Sequence, residues 1–384
     1  MLTRRMLLAT GGATAVVAGL GVAGYVNGPG LAKAREPWSQ AGESFGDPRL
    51  DALAYAILAP NPHNRQPWWF ELLGDDRIDV YFDMDRRLPE TDPFDRQLTI
   101  GFGCMLELLR QAGAEQGYRV EIVPFPDAEP QPLLNGNRMA QVAFVRDSSV
   151  ETDPLFQSVL ERRSTKEPFD AELPVSEATL ESVLASTHSD LGVGGTVAAA
   201  NMAEITELAW SGWLIEYDTD RTRRESIDLM RFGNRAVVQN PDGIDMGGMS
   251  MGLMNAAGIV TPRTLNKKES RAYQIGIDMY EQIIKTAMGF VWIVSEDNGR
   301  ATQLRAGQTW VRLNLAAQRE GVCIHPLSQI LQEFPEMAEP YAAIREVLDV
   351  PAEGAVQMLG RIGYTSFPAS SPRWPLESRL LNTA

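Results

Sequence analysis

The chain has 384 residues, 44% hydrophobic and 22% charged, which suits about two domains with real cores and excludes disordered and fibrous classes. Thirty-five basic residues against fifty acidic ones leave a formal charge of −15, so no nucleic-acid partner is expected and any phosphate must meet a local basic cluster. Two cysteines, Cys104 and Cys323, cannot build a disulfide framework, and with only His63, His188 and His325 as histidines no metal site is expected.

Arg4 and Arg5 precede an uncharged run over 6–26, the layout of a twin-arginine export signal. Gly28-Pro29-Gly30 breaks that run, and Ala32-Lys33-Ala34 offers the small residues of a cleavage site after Ala34. This predicts a signal over 1–34 and a protein carried by the twin-arginine machinery to the periplasm or the outer face of the cytoplasmic membrane. An uncleaved signal would act as a tether. Because that route carries folded proteins, the signal also hints at a cofactor loaded before export.

Apolar spacing predicts a helix over 48–59, stopped by Ala59-Pro60-Asn61-Pro62. Strands are expected over 68–73 and 77–83, a helix over 97–116 closed by Gly117, and strands over 118–123 and 139–145. A second round starts with a helix over 154–160 that runs into Arg162-Arg163. It resumes with a strand over 290–295 and a helix over 302–320 closed by Gly321. Gly103 to Gly117 and Gly307 to Gly321 share one spacing, with Leu106, Leu109 and Ala112 matching Trp310, Leu313 and Ala316, so a duplication is one reading and chance similarity of amphipathic helices the other. The halves are placed at 35–150 and 151–384, the second with a Gly/Met-rich insertion near 231–266. That insertion is either a mobile cover or a buried connection. Its Gly248-x-Ser250-x-Gly252 matches a hydrolase elbow, but the residues before it are turn-like.

Two segments carry unusual chemistry. Arg162-Arg163-Ser164-Thr165-Lys166 sets three fixed cations around hydroxyls, fit either for a phosphate or for a helix C-terminus. The loop from Asn61 to Gln66 sets amides between prolines, fit either for the edge of a planar heterocycle or for its own turn.

RRSTKEPFD (162–170), APNPHNRQPW (59–68), EGVCIHPLSQ (320–329), GRIGYTSF (360–367) and PLESRL (375–380) resemble signature segments of nitroreductase-like FMN flavoproteins. The Asn-bearing segment precedes the arginine segment, the reverse of the usual order, which resembles the Acg-like branch of two fused halves. The resemblance implies an α+β, nitroreductase-like fold in which two tandem sheet-and-helix halves form a monomeric pseudo-dimer around one FMN. It implies that Arg162, Arg163, Ser164, Lys166 and Arg379 contact the phosphate, ribityl chain and ring edge. Asn61, Pro62, His63, Asn64 and Gln66 would arrive from the other half, and Pro326, Leu327 and Ser328 would approach flavin N5. The implied activity is an FMN-dependent oxidoreductase passing hydride or electrons through N5 from an unidentified donor to a small organic acceptor, with no catalytic acid or base named. The alternative is an FMN-binding or sequestering protein without turnover.

Overall fold

The computed structural model describes residues 30–381; the paired arginines and apolar run of the expected export signal lie outside the described residues. Ala34, the expected cleavage point, is buried within helix α1 (Ala32–Gln40). Helix α2 (Pro48–Ala56) starts where Asp47 accepts the Arg49 N–H and Pro48 supplies a helical φ. Strands β1 (Trp68–Leu73) and β2 (Arg77–Phe82), helix α3 (Arg96–Glu115), and strands β3 (Tyr118–Pro124) and β4 (Arg138–Arg146) follow.

The second round comprises α4 (Glu177–Ala185), β5 (Gly192–Thr196), α5 (Ala199–Asp218), α6 (Asp220–Asp228), β6 (Met230–Phe232), α7 (Gly233–Gln239), β7 (Ile244–Met246), α8 (Met249–Ala256), α9 (Pro262–Leu265) and α10 (Arg271–Lys285). It ends with β8 (Gly289–Ser295), α11 (Arg300–Arg319), β9 (Cys323–Pro326), α12 (Ala338–Val347) and β10 (Ala355–Gly363).

The four-stranded sheets run β1-β2-β4-β3 and β5-β8-β10-β9, antiparallel throughout. Counted within its own half, each sheet has the order first, second, fourth, third, with a long helix between its second and third strands. The fold is therefore α+β, built of two tandem sheet-and-helix halves, and the duplication seen as one reading of the helix spacing extends to the whole topology.

The halves meet where α3 crosses α11. A Cβ on Gly103 would stand 2.0 Å from the Leu304 oxygen, and one on Gly307 would stand 1.9 Å from the Ile100 oxygen. Both glycines thus allow a backbone contact that no side chain would, and each meets the carbonyl three residues before its counterpart. One buried cluster, from Trp68 and Phe102 to Val311 and Leu313, runs through both halves, so the division near residue 150 does not split the core. A second cluster lies beneath α5, with Trp213, Leu327 and Ile330.

One expectation needs correction. Residues 154–160 form only a short 3-10 turn, Pro154–Ser158, because the chain leaves to bridge β9: the Thr165 N–H donates to the Ile324 oxygen at 2.8 Å. The cations at 162 and 163 therefore do not cap a helix of their own. Within the Gly/Met-rich insertion, α8 buries only Gly252 and leaves Met249 57% exposed, whereas Gly233, Val237 and Asp242 are buried. Its Ser250 is exposed on that helix, not seated on an elbow after a long strand.

Candidate cofactor-binding site

The loop after α2 is strained. His63, Asn64 and Gln66 all have φ near +50°, which side-chain-bearing residues rarely adopt. Gly101 of α3 allows this close seating, since a Cβ there would meet Asn61 Cβ at 3.1 Å and Pro62 Cδ at 3.3 Å. The amides serve the protein itself: Asn61 Oδ1 accepts the Gln66 N–H, Asn64 Nδ2 donates to the Pro372 oxygen, and Gln66 bridges Pro241 and the Trp374 N–H. The imidazole of His63 is left facing the cationic segment. Burial first, then the charges of Lys166 and Arg65, hold its pKa at about 3, so it is neutral.

Three guanidiniums gather beside this loop. Arg162 and Arg373 both donate to the Leu58 oxygen, at 3.2 and 2.9 Å, and Arg373 adds bonds to Ile57 and Ala59. Trp38 of α1 lies under Arg163 at 4.7 Å and Arg373 at 5.5 Å, and its indole N–H donates to the Ser371 oxygen. Arg162 and Arg373 are buried, and no carboxylate pairs with any of the three among the described residues. The carbonyls at the end of α2 offer about half a negative charge, well short of balancing three cations.

Inward from this cluster, Lys166 is reached by water yet ringed by protein, and burial pushes its pKa down against the pull of Glu216. The same ammonium acts on His63, on Glu216 of α5 and on His325 of β9. His325 is buried, and its Nδ1 accepts from Arg361 Nε at 3.0 Å, so its proton sits on Nε2. Arg361 also donates to the Glu167 oxygen, stacks on Phe169 at 3.9 Å, and keeps Nη1 without a hydrogen-bond partner among the described residues.

The matching position on the other side of the α3–α11 crossing differs in one decisive way. The pairing of Gly103 with Gly307 sets Gly101 against Arg305 and Cys104 against Gln308. Arg305 and Gln308 line a cavity of about 350 Å³. Its arginines all have carboxylates: Arg110 with Glu107, Arg312 with Glu107 and Asp153, and Arg305 with Asp190.

The early loop and the mid-chain cationic segment, about a hundred residues apart in sequence, thus come together, and Ser164 bridges to the strand that leads into Pro326. Pro326 pairs with Gly360, the Leu327 N–H is taken by the Leu359 oxygen, and Ser328 starts the turn beyond. Arg379 joins a different group: it stacks on Trp69 at 4.2 Å and lies 3.7 Å from Asp83. Sequence reasoning missed Arg373, which meets the 162–163 pair in the tail, along with Trp38, Glu216 and Arg361. A buried acid within the apolar run Trp213-Leu214-Ile215-Glu216 was a readable signal; nothing in the sequence marks Arg373.

No family model matches the chain. It is 32% identical over 129 residues to "Uncharacterized protein Rv3127" and 28% identical over 127 residues to "Putative NAD(P)H nitroreductase acg", both of Mycobacterium tuberculosis. These matches cover 32% and 33% of this chain and span only 35% and 38% of the two relatives. Among solved structures, the "putative nitroreductase from anabaena variabilis atcc 29413" aligns with 83% of this chain and 88% of its own, at 11% identity and a TM-score of 0.46. The FMN-dependent nitroreductase NfnB of Mycobacterium smegmatis, solved with NADPH, aligns with 58% of this chain and 94% of its own, at 17% identity and a TM-score of 0.36.

Proposed function

We propose that this chain is an FMN-dependent oxidoreductase of the nitroreductase-like family, passing hydride or electrons from a donor such as NAD(P)H to a small organic acceptor such as a quinone or nitroaromatic. The observation that carries the reading is the contrast between the two sides of the crossing. One holds Arg162, Arg163 and Arg373 without a carboxylate; the other holds arginines that are all paired. Two buried guanidiniums and a half-buried third, none ion-paired to a carboxylate among the described residues, call for an anion, and three guanidiniums suit a phosphate dianion. The residues present therefore fit FMN at one place per chain.

In this reading Arg162, Arg163 and Arg373 hold the phosphate, with Trp38 fixing two of those forks from behind. Ser164 and the bridge to Ile324 set the segment's register, so that Lys166 projects inward. Lys166 lends positive charge to the ring edge, and neutral His63 and His325 close the space without adding net charge. The turn from Pro326 to Ser328 lines its wall. When bound, FMN supplies two-electron chemistry at N5. Arg379 supports this arrangement indirectly, through Asp83 and the tail. Export by the twin-arginine machinery belongs to the same reading, because α1 and the tail enclose the phosphate end only in a folded chain.

The test is the flavin-to-chain ratio of the purified protein, followed by anaerobic mixing with NAD(P)H, a nitroaromatic and a quinone. One FMN per chain that bleaches with a donor and reoxidises with an acceptor supports the enzyme. A flavin that stays oxidised with every donor supports the sequestering protein instead, and a chain that binds no flavin overturns both.

A further inference from the structure

Glu216 belongs to none of the roles assigned above, yet it is a buried carboxyl, 8% exposed, facing the same interior as Lys166. Among the described residues its oxygens accept only from neutral donors, Gln332 Nε2 at 2.8 Å and Ser226 Oγ at 3.1 Å. No cation touches it among the described residues, although Lys166 acts on it from across the site. Gln332 is itself 3% exposed, and its Oε1 has no hydrogen-bond partner among the described residues. That orphan is informative. Turned over, the amide would offer Oε1 to a carboxylic O–H; as it stands it offers an N–H to a carboxylate. The Gln332 side chain therefore suits both protonation states of its neighbour. It also follows directly on the turn Gln329–Leu331, beyond Pro326 and Ser328, which ties the pair to the wall of the site.

We infer that Glu216 is a proton-uptake site coupled to the cofactor position, taking a proton from solvent when an anionic ligand settles at Lys166 and the arginines, and thereby storing a proton inside the loaded site. The inference rests on the FMN reading. Charges facing the carboxyl come from every side: Lys166 from the cationic segment, Glu225 from α6, and the Tyr280 phenol from α10, whose own titration feels Glu216. Burial, then Glu225, raise the Glu216 pKa; Gln332, Ser226 and Lys166 lower it, and the balance falls at about 7. A phosphate dianion at the arginines and a flavin against Lys166 weaken the positive potential at Glu216, so its pKa rises further and the carboxylate gains a proton. The balance is simple: one solvent proton leaves water, one carboxyl O–H bond forms, and the site's net charge rises by one as the ligand's negative charge enters.

The experiment titrates the apoprotein with FMN by calorimetry at pH 7.5–8 in buffers of different ionisation enthalpy, which reads protons exchanged per FMN bound. Wild type takes up between about half and one proton more than Glu216→Gln, and the difference shrinks below pH 6, where the free carboxyl is already protonated. If FMN binds equally in both with the same proton count, the inference is wrong while the FMN reading stands. If FMN binds neither protein, the underlying reading fails. Should Glu216→Gln not fold, infrared spectra of wild type carrying carbon-13-labelled glutamate decide. A protonated buried carboxyl must grow on FMN addition at pH 8, and an unchanged carboxyl band overturns the inference.

Discussion

Asn64 Oδ1 accepts a hydrogen bond from Arg373 Nη1 at 2.7 Å, although 309 residues separate them in sequence. Through this bond the strained loop after α2 holds the arginine that completes the cationic cluster. In the FMN reading Asn64 therefore acts on the phosphate end through Arg373, because both groups of its amide are already engaged.

Arg373→Ala removes one charge-assisted contact to an anion, worth roughly 1.5–3 kcal/mol, so FMN affinity falls tenfold or more. Asn64→Ala should weaken binding in the same direction but less, by freeing the guanidinium without deleting it. Arg379→Ala should lower stability more than flavin affinity, since its partners are Asp83, Trp69 and Trp374. Fluorescence titration with FMN alongside denaturant melts separates these outcomes; Arg373→Ala protein that purifies fully yellow contradicts the assignment.

Trp38→Ala should raise the dissociation constant for FMN about tenfold, the equivalent of about 1.4 kcal/mol, by taking away the face that fixes Arg163 and Arg373. Trp38→Phe should recover most of that loss, because the ring face remains and only the bond to the Ser371 oxygen is absent. Equal loss in both variants would point to the hydrogen bond instead.

Gly103→Ala and Gly307→Ala should each destabilise the fold by about 3 kcal/mol or more, since a methyl group there drives into a backbone carbonyl that cannot move aside without parting the helices. Thermal unfolding reads the loss. Gly136→Ala is the control, as a Cβ there meets nothing within 4 Å.

Asp242 anchors the insertion to the loop: its carboxylate meets Arg86 at 2.7 Å, Arg231 at 2.8 Å and Arg65 at 3.8 Å. Burial alone would raise its pKa, but those arginines overcome it and hold it below 3.8. A depressed carboxyl stabilises the fold above its unfolded pKa and loses that contribution as pH falls through the folded value. Asp242→Asn should therefore cost about 3–5 kcal/mol near neutral pH, where it leaves the guanidiniums uncompensated. The gap to wild type should narrow as the pH drops below 3.8, as followed by urea melts across pH.

Much of this architecture was legible because it rests on local patterns. The apolar spacing of α3 and α11 and the alternation of β1, β2 and β4 announce themselves within a few residues. Strand β5 does not, since Gly192-Val193-Gly194-Gly195 lacks β-branched alternation. Its glycines exist for a neighbour, as a Cβ on Gly194 would stand 2.4 Å from the Trp292 indole nitrogen. The site divides the same way. Three cations within five residues mark 162–166 in any reading, whereas Arg373 draws its meaning from carbonyls at 57–59 that only folding brings near. The loop amides read equally as a heterocycle edge or as a self-satisfied turn; folding turned Asn64 and Gln66 toward the tail and left His63 beside the cationic segment.

Because Ala34 accepts the Arg373 N–H at 2.8 Å and Trp38 donates to Ser371, 333 residues away, the cationic cluster needs two segments from distant parts of the chain. The ability to hold an anion there is thus a report that translation has run past Arg373, and a chain stopped short of that residue would remain without its grip however well its two sheets had formed.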